Sequence, residues 1–529
     1  MSSINMNNII RPYSHVPGAS AGRGEDPLEC LAALDLLSVG PVRVEKRRLI
    51  CPYRIVQHDS EDTFNLIYRW EEDVFDPNDE VDRNLAAMIA AQVALNYGLF
   101  ADEIRFNGPF DGNDREFLSA MADNTATEIY VKRFLEDNPF IIGKAASLPA
   151  IKRPSYLRSR LSFPQGLSKG FANYSRDRER HPDPSRHAVL SSGGKDSLLT
   201  FGILAELGQE VHPVFINESG RHWFTALNAY RHFRDHVGHT SRVWTNADRL
   251  FVWMKRHFSF IRPDFARLRA DEYPIRLWTV AVFLIGALPL VRKRGIGRIS
   301  IGDEFDTTRF ADRCGIPHFD GLFDQSLVFD RVLSDYYRLK GWGIEQFLIL
   351  RPMSEFLIQK VLAARFPDLL THQVSCHAAH ITDGRVRPCG RCEKCRRIVG
   401  MLTAFGADPA ALGYTQRQIE QCLTAVDRAG VYQESEGAQH LYYLLRERRR
   451  ISGDSHICRP RPEVERLRFD PAASPPDAVP NDLRDRLYTI LTRYAEAVIW
   501  DGSRWVRWDV TDGWAPDTSA RDVPAAPSP

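Results

Sequence analysis

Six consecutive residues, Ser192-Gly193-Gly194-Lys195-Asp196-Ser197, combine two hydroxyls, a mobile cation, a carboxylate and a glycine pair. A short apolar run (His187-Ala188-Val189-Leu190-Ser191) precedes them, and a segment with helical patterning follows to about Leu207. At such a strand-to-helix turn the first backbone N–H groups of the helix lack intrahelical partners and attract anions. Gly193 and Gly194 let the backbone approach phosphate oxygens and adopt positive φ. Ser192 and Ser197 offer hydroxyls, Lys195 a cation, and Asp196 a carboxylate that can hold Mg²⁺ against phosphates. An ordinary Gly-Gly turn with a helix cap would explain the glycines but not the four residues around them. The spacing is neither G-x-x-x-x-G-K-[ST] nor G-x-G-x-x-G.

A second constellation is Cys376, Cys389, Cys392 and Cys395, spaced C-x₁₂-C-x₂-C-x₂-C with Gly390 at the turn. Thiolates at this spacing suit tetrahedral Zn²⁺. Two successive C-x₂-C steps also suit an iron–sulfur cluster, and a third alternative leaves one thiol as a free nucleophile. The remaining cysteines, Cys30, Cys51, Cys314, Cys422 and Cys458, are scattered and read as packing residues. Asp303 and Glu304 follow the apolar run Arg298-Ile299-Ser300-Ile301, and the carboxyl ends of strands in an open parallel sheet face the ligand crevice. They could hold Mg²⁺ or a substrate amine, act as base, or merely cap a helix. Arg351 and Glu355 stand i,i+4 around Pro352; Arg351 is either a bidentate carboxylate or phosphate clamp or the partner of Glu355. His318, Asp324 and Ser326 could line the same crevice, whereas His377 and His380, beside Cys376, read as surface or supporting histidines.

Ser192–Ser197 resembles the SGGxDS pyrophosphate loop of the PP-loop ATP pyrophosphatase superfamily. The resemblance implies a doubly wound parallel-sheet (HUP-like) α/β domain that grips the β,γ-pyrophosphate of ATP with Mg²⁺. Attack at the α-phosphorus would then yield an adenylate. It also implies that adenine is held by backbone just past the second strand, near Phe215 and Asn217. Ser375-Cys376 with Cys389-Gly390-Arg391-Cys392-Glu393-Lys394-Cys395 resembles the zinc motif of the 7-cyano-7-deazaguanine synthases, which convert a carboxylate through an amide to a nitrile. The layout, with a domain ahead of the loop and Ile349-Leu350-Arg351-Pro352-Met353-Ser354-Glu355 ahead of the cysteines, resembles the UDP-N-acetylmuramoyl-L-alanyl-L-glutamate epimerases. Gly302-Asp303-Glu304-Phe305 replaces that family's N-E-R-S, and Ser375-Cys376-His377 its S-C-N.

These residues need elements to hold them. The 529 residues exceed one core and predict two to four domains. Residues 1–28 and the tail 515–529 are polar and Pro/Ser/Ala-rich and read as disordered. Residues 29–150 predict an α+β domain: strands within 41–72, helices at Leu85–Tyr97 and Arg115–Leu135, and a strand at Glu103-Ile104-Arg105-Phe106-Asn107-Gly108 between them. A basic linker follows at 151–186. The PP-loop domain spans 187–405, built on the βαβ unit around the loop and on the strands Ser241–Thr245 and Arg298–Gly302. A mostly helical extension, 406–514, closes with a hairpin turning on the positive φ angles of Asp501-Gly502.

Composition constrains the partners. A formal charge of +1 gives no global attraction to nucleic acid or acidic lipid. The longest apolar run, Leu277–Val291, falls short of the ~20 residues that span a bilayer and reads as a buried helix. With no secretory pattern at the N-terminus the chain is expected in the cytoplasm, with no membrane partner. A homodimer is compatible with the sequence. The leading expectation is an enzyme that adenylates a small-molecule or peptide carboxylate, using Lys195, Asp196, Asp303, Glu304 and Arg351 and leading to epimerisation or amide formation. Amide and nitrile formation on a deazaguanine carboxylate, or conjugation of such a base to a protein terminus, stands beside it. Nucleic-acid modification is disfavoured: it rests on the basic linker (Lys152, Arg153, Arg158, Arg160, Lys169, Arg176, Arg178, Arg180), with no RNA-binding module visible. A non-catalytic nucleotide sensor has less need of the whole S-G-G-K-D-S grip.

Overall fold

The structure, a computed structural model, describes residues 26–165, 182–220, 222–268, 274–319, 321–376 and 378–510. The N-terminal region alternates buried and half-buried side chains with a period of two, as a half-covered sheet requires. Leu49, Cys51, Tyr53 and Ile55 face one core along the same strand. Its strands are β1 (Leu34–Val39), β2 (Arg43–Glu45), β3 (Arg48–Gln57), β4 (Ser60–Trp70), β5 (Ala101–Phe106) and β6 (Arg160–Ser162). Next come β7 (Asp183–Leu190), β8 (Glu210–Asn217), β9 (Ser241–Thr245) and β10 (Ile296–Ser300). A hairpin of β11 (Phe310–Arg313) and β12 (Ile316–Phe319) precedes β13 (Glu345–Gln346).

One sheet of eleven strands carries both regions, in the order β13-β10-β7-β8-β9-β4-β3-β1-β5-β6, with β2 on β3. The β13-β10-β7-β8-β9 section is wholly parallel, because helices connect its strands. Chain order reverses between β7 and β10, and ligands of open parallel sheets bind outside the carboxyl ends of the strands at such a switch point. Alternate residues feed two cores: Ala188 and Val214 join one cluster, Val189 and Phe215 the other.

The expected division between an N-terminal domain and a central one is crossed by the sheet itself. β4 runs antiparallel to β9, pairing Tyr68 with Thr245 and Trp70 with Val243. Asn246 Oδ1 accepts from Ile67 N at 2.7 Å, and Asn246 Nδ2 donates to Asn65 O at 2.9 Å. The segment read as a linker begins as ordered chain: β6 adds to β5, and Arg158 pairs with Glu29 and Asp102 at 3.0 and 2.8 Å. Order also starts earlier than expected, for Pro27–Leu31 forms a 3₁₀ turn that buries Leu28. The expectations for 1–25, 166–181 and the tail lie outside the described residues.

The apolar run becomes the helix Val280–Lys293, buried along most of its length. No helix among the described residues is long and apolar enough to cross a membrane. The C-terminal extension is helical as expected, but it also contains a three-stranded sheet of β16 (Leu467–Phe469), β17 (Ala497–Trp500) and β18 (Trp505–Arg507), with β14 (His380–Thr382) and β15 (Arg385–Arg387) forming a separate hairpin upstream. The β17–β18 turn is not the expected two-residue type. Trp500 faces Trp505 across a loop in which Gly502 alone has positive φ, and Asp501 Oδ1 accepts from Ser503 N and Arg504 N. Arg298 of β10 fastens the extension to the sheet with a bidentate pair to Asp482 at 2.6 and 2.7 Å. Among the cysteines read as packing residues, Cys51 and Cys422 are buried, but Cys314 is exposed in the β11–β12 turn.

A buried ion cluster locks the N-terminal region to the helix Leu327–Leu339. Lys340 Nζ donates to Asp111, Asp114 and Asn84 at 2.6, 2.9 and 3.0 Å, and the Lys340 and Asp side chains are at most 1% exposed. Removing one member strands the opposite charges in low dielectric. Lys340→Ala is therefore expected to destabilise the protein by about 3–5 kcal/mol, seen as a large drop in melting temperature; a drop comparable to that of a surface Lys→Ala control contradicts this.

Candidate functional site

The phosphate-type loop lies at the switch point. β7 ends at Leu190, Gly194 caps the next helix in extended conformation, and Lys195–Glu206 begins there. Gly193 is required twice over: its φ is +73°, and a Cβ would stand 2.6 Å from Thr225 O and 2.9 Å from Ala226 Cα. Ser191 Oγ and Ser197 Oγ lie 3.1 Å apart, Ser197 Oγ donates to Gly194 O at 3.1 Å, and the Ser192 side chain is left exposed.

Directly opposite is the turn after β10. A Cβ on Gly302 would come within 2.5 Å of Asp196 Cβ and 2.8 Å of Ser197 N, so only glycine permits this approach. It brings Asp303 and Glu304 to the loop. Lys195 Nζ, almost buried, donates to both Asp196 oxygens at 2.9 and 3.0 Å and to Glu304 Oε2 at 3.3 Å, and lies 3.4 Å from Glu355 Oε1. The other Glu355 oxygen pairs with Arg397 at 3.3 Å.

Four carboxylates thus face two cations. Burial, with Glu355 and Asp196 beside it, pushes the Glu304 carboxyl up to about 7 although Lys195 opposes the shift. Burial pushes Asp303 well above the carboxylate range, against the pull of Arg351. Burial would raise Glu355 too, but Lys195 and Arg397 outweigh it and hold its carboxyl low. Burial would lower Lys195, yet Asp196, Glu304 and Glu355 together raise it. Asp303 Oδ2 is buried without a hydrogen-bond partner. Excess negative charge and an orphan carboxylate oxygen suit a hard, oxygen-seeking cation, although Asp196, Asp303 and Glu304 do not themselves converge as a three-carboxylate metal cluster.

Other expected residues are placed differently. Arg351 does not pair with Glu355. Its guanidinium is buried and binds Asp330 Oδ2 at 2.6 Å and Thr308 Oγ1 at 2.7 Å. Phe215 is mid-strand with its ring in the core against Tyr230 and Phe233. Asn217 ends β8 and its Oδ1 accepts from Ser219 N at 2.9 Å. Asp324 and Ser326 cap helices: Asp324 Oδ2 accepts from Thr279, Val280 and Ala281 N–H, and Ser326 Oγ from Phe329 N. His318 is buried, with Nδ1 3.2 Å from Ile316 O, and His380 is exposed in β14. His377 lies outside the described residues. Of the basic segment, Arg153, Arg158 and Arg160 pair with Asp26, Glu29, Asp102 and Glu103, so these cations are already neutralised. Lys169, Arg176, Arg178 and Arg180 are not among the described residues.

Cys376, Cys389, Cys392 and Cys395 converge with all four Sγ atoms within 4.8 Å of one another. The separations of 3.5 Å (Cys376–Cys392, Cys392–Cys395) and 3.8 Å (Cys389–Cys395) match the edge of a tetrahedron whose metal–sulfur bonds are about 2.3 Å. An iron–sulfur cluster needs room for several metal and sulfide atoms between the thiolates, so this set fits one ion such as zinc. Gly390 (φ +67°) turns the knuckle, and Cys392 N donates to Cys389 Sγ at 3.4 Å.

Sequence reasoning missed how the knot meets the loop. Val374 N, two residues before Cys376, donates to Gly193 O at 3.3 Å, and the helix that opens on Cys392 carries Arg397. The extension also reaches the site: Arg468, buried, lies 4.0 Å over the Phe305 ring and pairs with Asp306 and Glu434 at 3.6 and 3.5 Å. Glu355 was visible in the sequence, but its partner 160 positions away was not.

No protein-family model matches the chain. A stretch of 60 residues, 11% of the chain, is 38% identical to a 7-cyano-7-deazaguanine synthase of Chlorobium luteolum. The match covers 26% of that protein's length.

Two outcomes follow. Purified protein should carry about one zinc per chain by metal analysis; four thiolates close the shell and leave no open position. Cys392→Ser should lose the metal and lower the melting temperature, whereas a brown protein with sulfide would overturn the assignment. For Glu304, the carboxyl is raised from 4.5 to about 7 in the fold. Its contribution to stability is therefore fully present below pH 4.5 and lost as pH rises to about 7. Between those limits the metal-free wild type should lose melting temperature relative to Glu304→Gln; a difference independent of pH contradicts this.

Proposed function

We propose that this chain is a PP-loop-type ATP pyrophosphatase that activates a carboxylate as its adenylate. The observation that carries the proposal is the loop Ser192–Ser197 at the β7/β10 switch point, with Asp303 and Glu304 held against Asp196 by the glycine-only contact at Gly302. The strand order β9-β8-β7-β10-β13 supports a HUP-like core. In this account the backbone N–H groups of 194–197 and the exposed Ser192 side chain receive the β,γ-pyrophosphate, and Lys195 shifts from its carboxylate partners to the phosphates. Mg²⁺ at Asp196, Asp303 and Glu304 would supply charge neutralisation. The remaining catalysis is positioning and electrostatics. A carboxyl raised to about 7, as at Glu304, is suited to moving a proton near neutral pH. Adenine would lie against backbone past β8, near Phe215–Asn217.

The partial similarity to a 7-cyano-7-deazaguanine synthase favours a planar deazaguanine carboxylate as acceptor and amide or nitrile formation as outcome. The amino-acid or peptide acceptor rested on the N-terminal domain and on the Arg351–Glu355 segment. With the Arg351 guanidinium bound to Asp330, epimerisation becomes the second choice. Basic side chains consumed by ion pairs at 153–160 weaken the nucleic-acid alternative. We place the protein in the cytoplasm with a small-molecule substrate.

The test is product analysis. With ATP, Mg²⁺, 7-carboxy-7-deazaguanine and ammonia, AMP and pyrophosphate should appear with an amide or nitrile. Asp196→Asn should slow this by at least ~100-fold, about 2.7 kcal/mol of transition-state stabilisation, in protein that remains folded by circular dichroism. ADP and phosphate as main products would sink the proposal. ATP-dependent deuterium incorporation at the α-carbon of an acyl-glutamate peptide in D₂O, with no deazaguanine product, would restore the epimerase alternative.

A further inference from the structure

Far from the phosphate loop in sequence, a cavity of about 10 Å³ separates the helix Gly112–Ile129 from the start of the helix Val280–Lys293. That is the space of a single water-sized particle. Trp278 and Phe323 form part of its wall, and Asn124, Thr125, Glu128 and Asp324 supply the polar part. Each of these four has an oxygen that is buried without a hydrogen-bond partner: Asn124 Oδ1, Thr125 Oγ1, Glu128 Oε2 and Asp324 Oδ1. Thr125, Glu128 and Asp324 are 2%, 4% and 2% exposed, so bulk water does not satisfy them. Buried acceptors are rarely left unsatisfied in native proteins.

The other carboxylate oxygens are already occupied. Glu128 Oε1 accepts from Phe319 N at 2.9 Å, and Asp324 Oδ2 accepts from three N–H groups at 2.8–3.1 Å. Lys132 Nζ stands 3.9 Å from Glu128 Oε2 and balances one of the two negative charges. One charge remains, together with four oxygens and room for one particle. Left alone, burial pushes the Glu128 carboxyl up to about 7 and the Asp324 carboxyl up to about 6.

We infer that this cavity binds one monovalent cation of water's size, potassium or ammonium, through Asn124, Thr125, Glu128 and Asp324. A water molecule has two hydrogens to give to four acceptors. Ammonium has four, and potassium accepts all four oxygens as ligands. A divalent ion would leave surplus positive charge beside the one uncompensated carboxylate. The ion bridges the N-terminal helix to the element behind the parallel sheet, so it adds a further fastening to the β4–β9 ladder and the Lys340 cluster. Asp324 also adjoins Gln325, whose carbonyl accepts from Arg351 at 3.3 Å, so the same fastening reaches the support of the β10 turn.

The experiment uses the full purified chain without substrate. Melting temperature is compared in potassium, ammonium, sodium and choline chloride at equal ionic strength. Potassium or ammonium should raise it by a few degrees over choline, since an ion bound only to the native state stabilises it. The gain should vanish in Glu128→Gln and in Thr125→Val. Crystals soaked in thallium(I), a potassium and ammonium mimic, should show anomalous scattering within the cavity of the wild type. That readout stands even if either variant fails to fold. A salt response equal in all four chlorides, or an ordered water with no anomalous signal, overturns the inference.

Discussion

The site depends on keeping Lys195 charged inside the protein. Burying an ammonium is costly unless opposite charge surrounds it, and Asp196, Glu304 and Glu355 provide that charge from three separate elements. The carboxylates in turn exceed the cations, and Arg397 can neutralise only Glu355 closely. Burial amid this excess of negative charge raises the Asp303 carboxyl well above its usual range and the Glu304 carboxyl to about 7. In the proposed function, a nucleotide with its metal would resolve the imbalance: phosphate would take the cation and the metal the carboxylates.

Much of the surrounding architecture can be understood as bracing for that cluster. Gly302 removes the one side chain that would keep the β10 turn away from the Ser192–Ser197 loop. Ser354 caps the helix that delivers Glu355 and also ties it to Val464 O at 2.6 Å. The cysteine knot braces the loop by a short route, through Val374 to Gly193 and through Arg397 to Glu355. The C-terminal extension presses Arg468 onto Phe305, the residue after Glu304. A thiolate knot and a distant extension thus act on the same few residues.

Local chemistry was legible in the sequence and distant pairing was not. Ser192–Ser197 and the four cysteines declare themselves because each motif needs only neighbours a few residues apart. The alternation along Arg48–Gln57 likewise reads directly as a strand. Arg351 and Glu355 looked like partners because i,i+4 spacing is all a sequence displays; the fold offers Asp330 to one and Lys195 to the other. The union of the two regions rests on β4 meeting β9, across 177 positions between Tyr68 and Thr245 (with no periodic signal to announce it). Asp501-Gly502 misled for a subtler reason: Asp501 spends its carboxylate on the loop's own N–H groups, which stabilises a longer turn with one positive φ.

The central claim is that the loop at the switch point holds the pyrophosphate, so that bond cleavage occurs at the α-phosphorus. Slow substrate-free hydrolysis of ATP in ¹⁸O-enriched water reports this position without knowledge of the acceptor, because the oxygen of the attacking water stays on the phosphorus it reaches. The account predicts ¹⁸O on the phosphate of AMP and none in pyrophosphate, with the reaction lost in Asp196→Asn. Label recovered in inorganic phosphate beside unlabelled ADP would mean attack at the γ-phosphorus, and would contradict it.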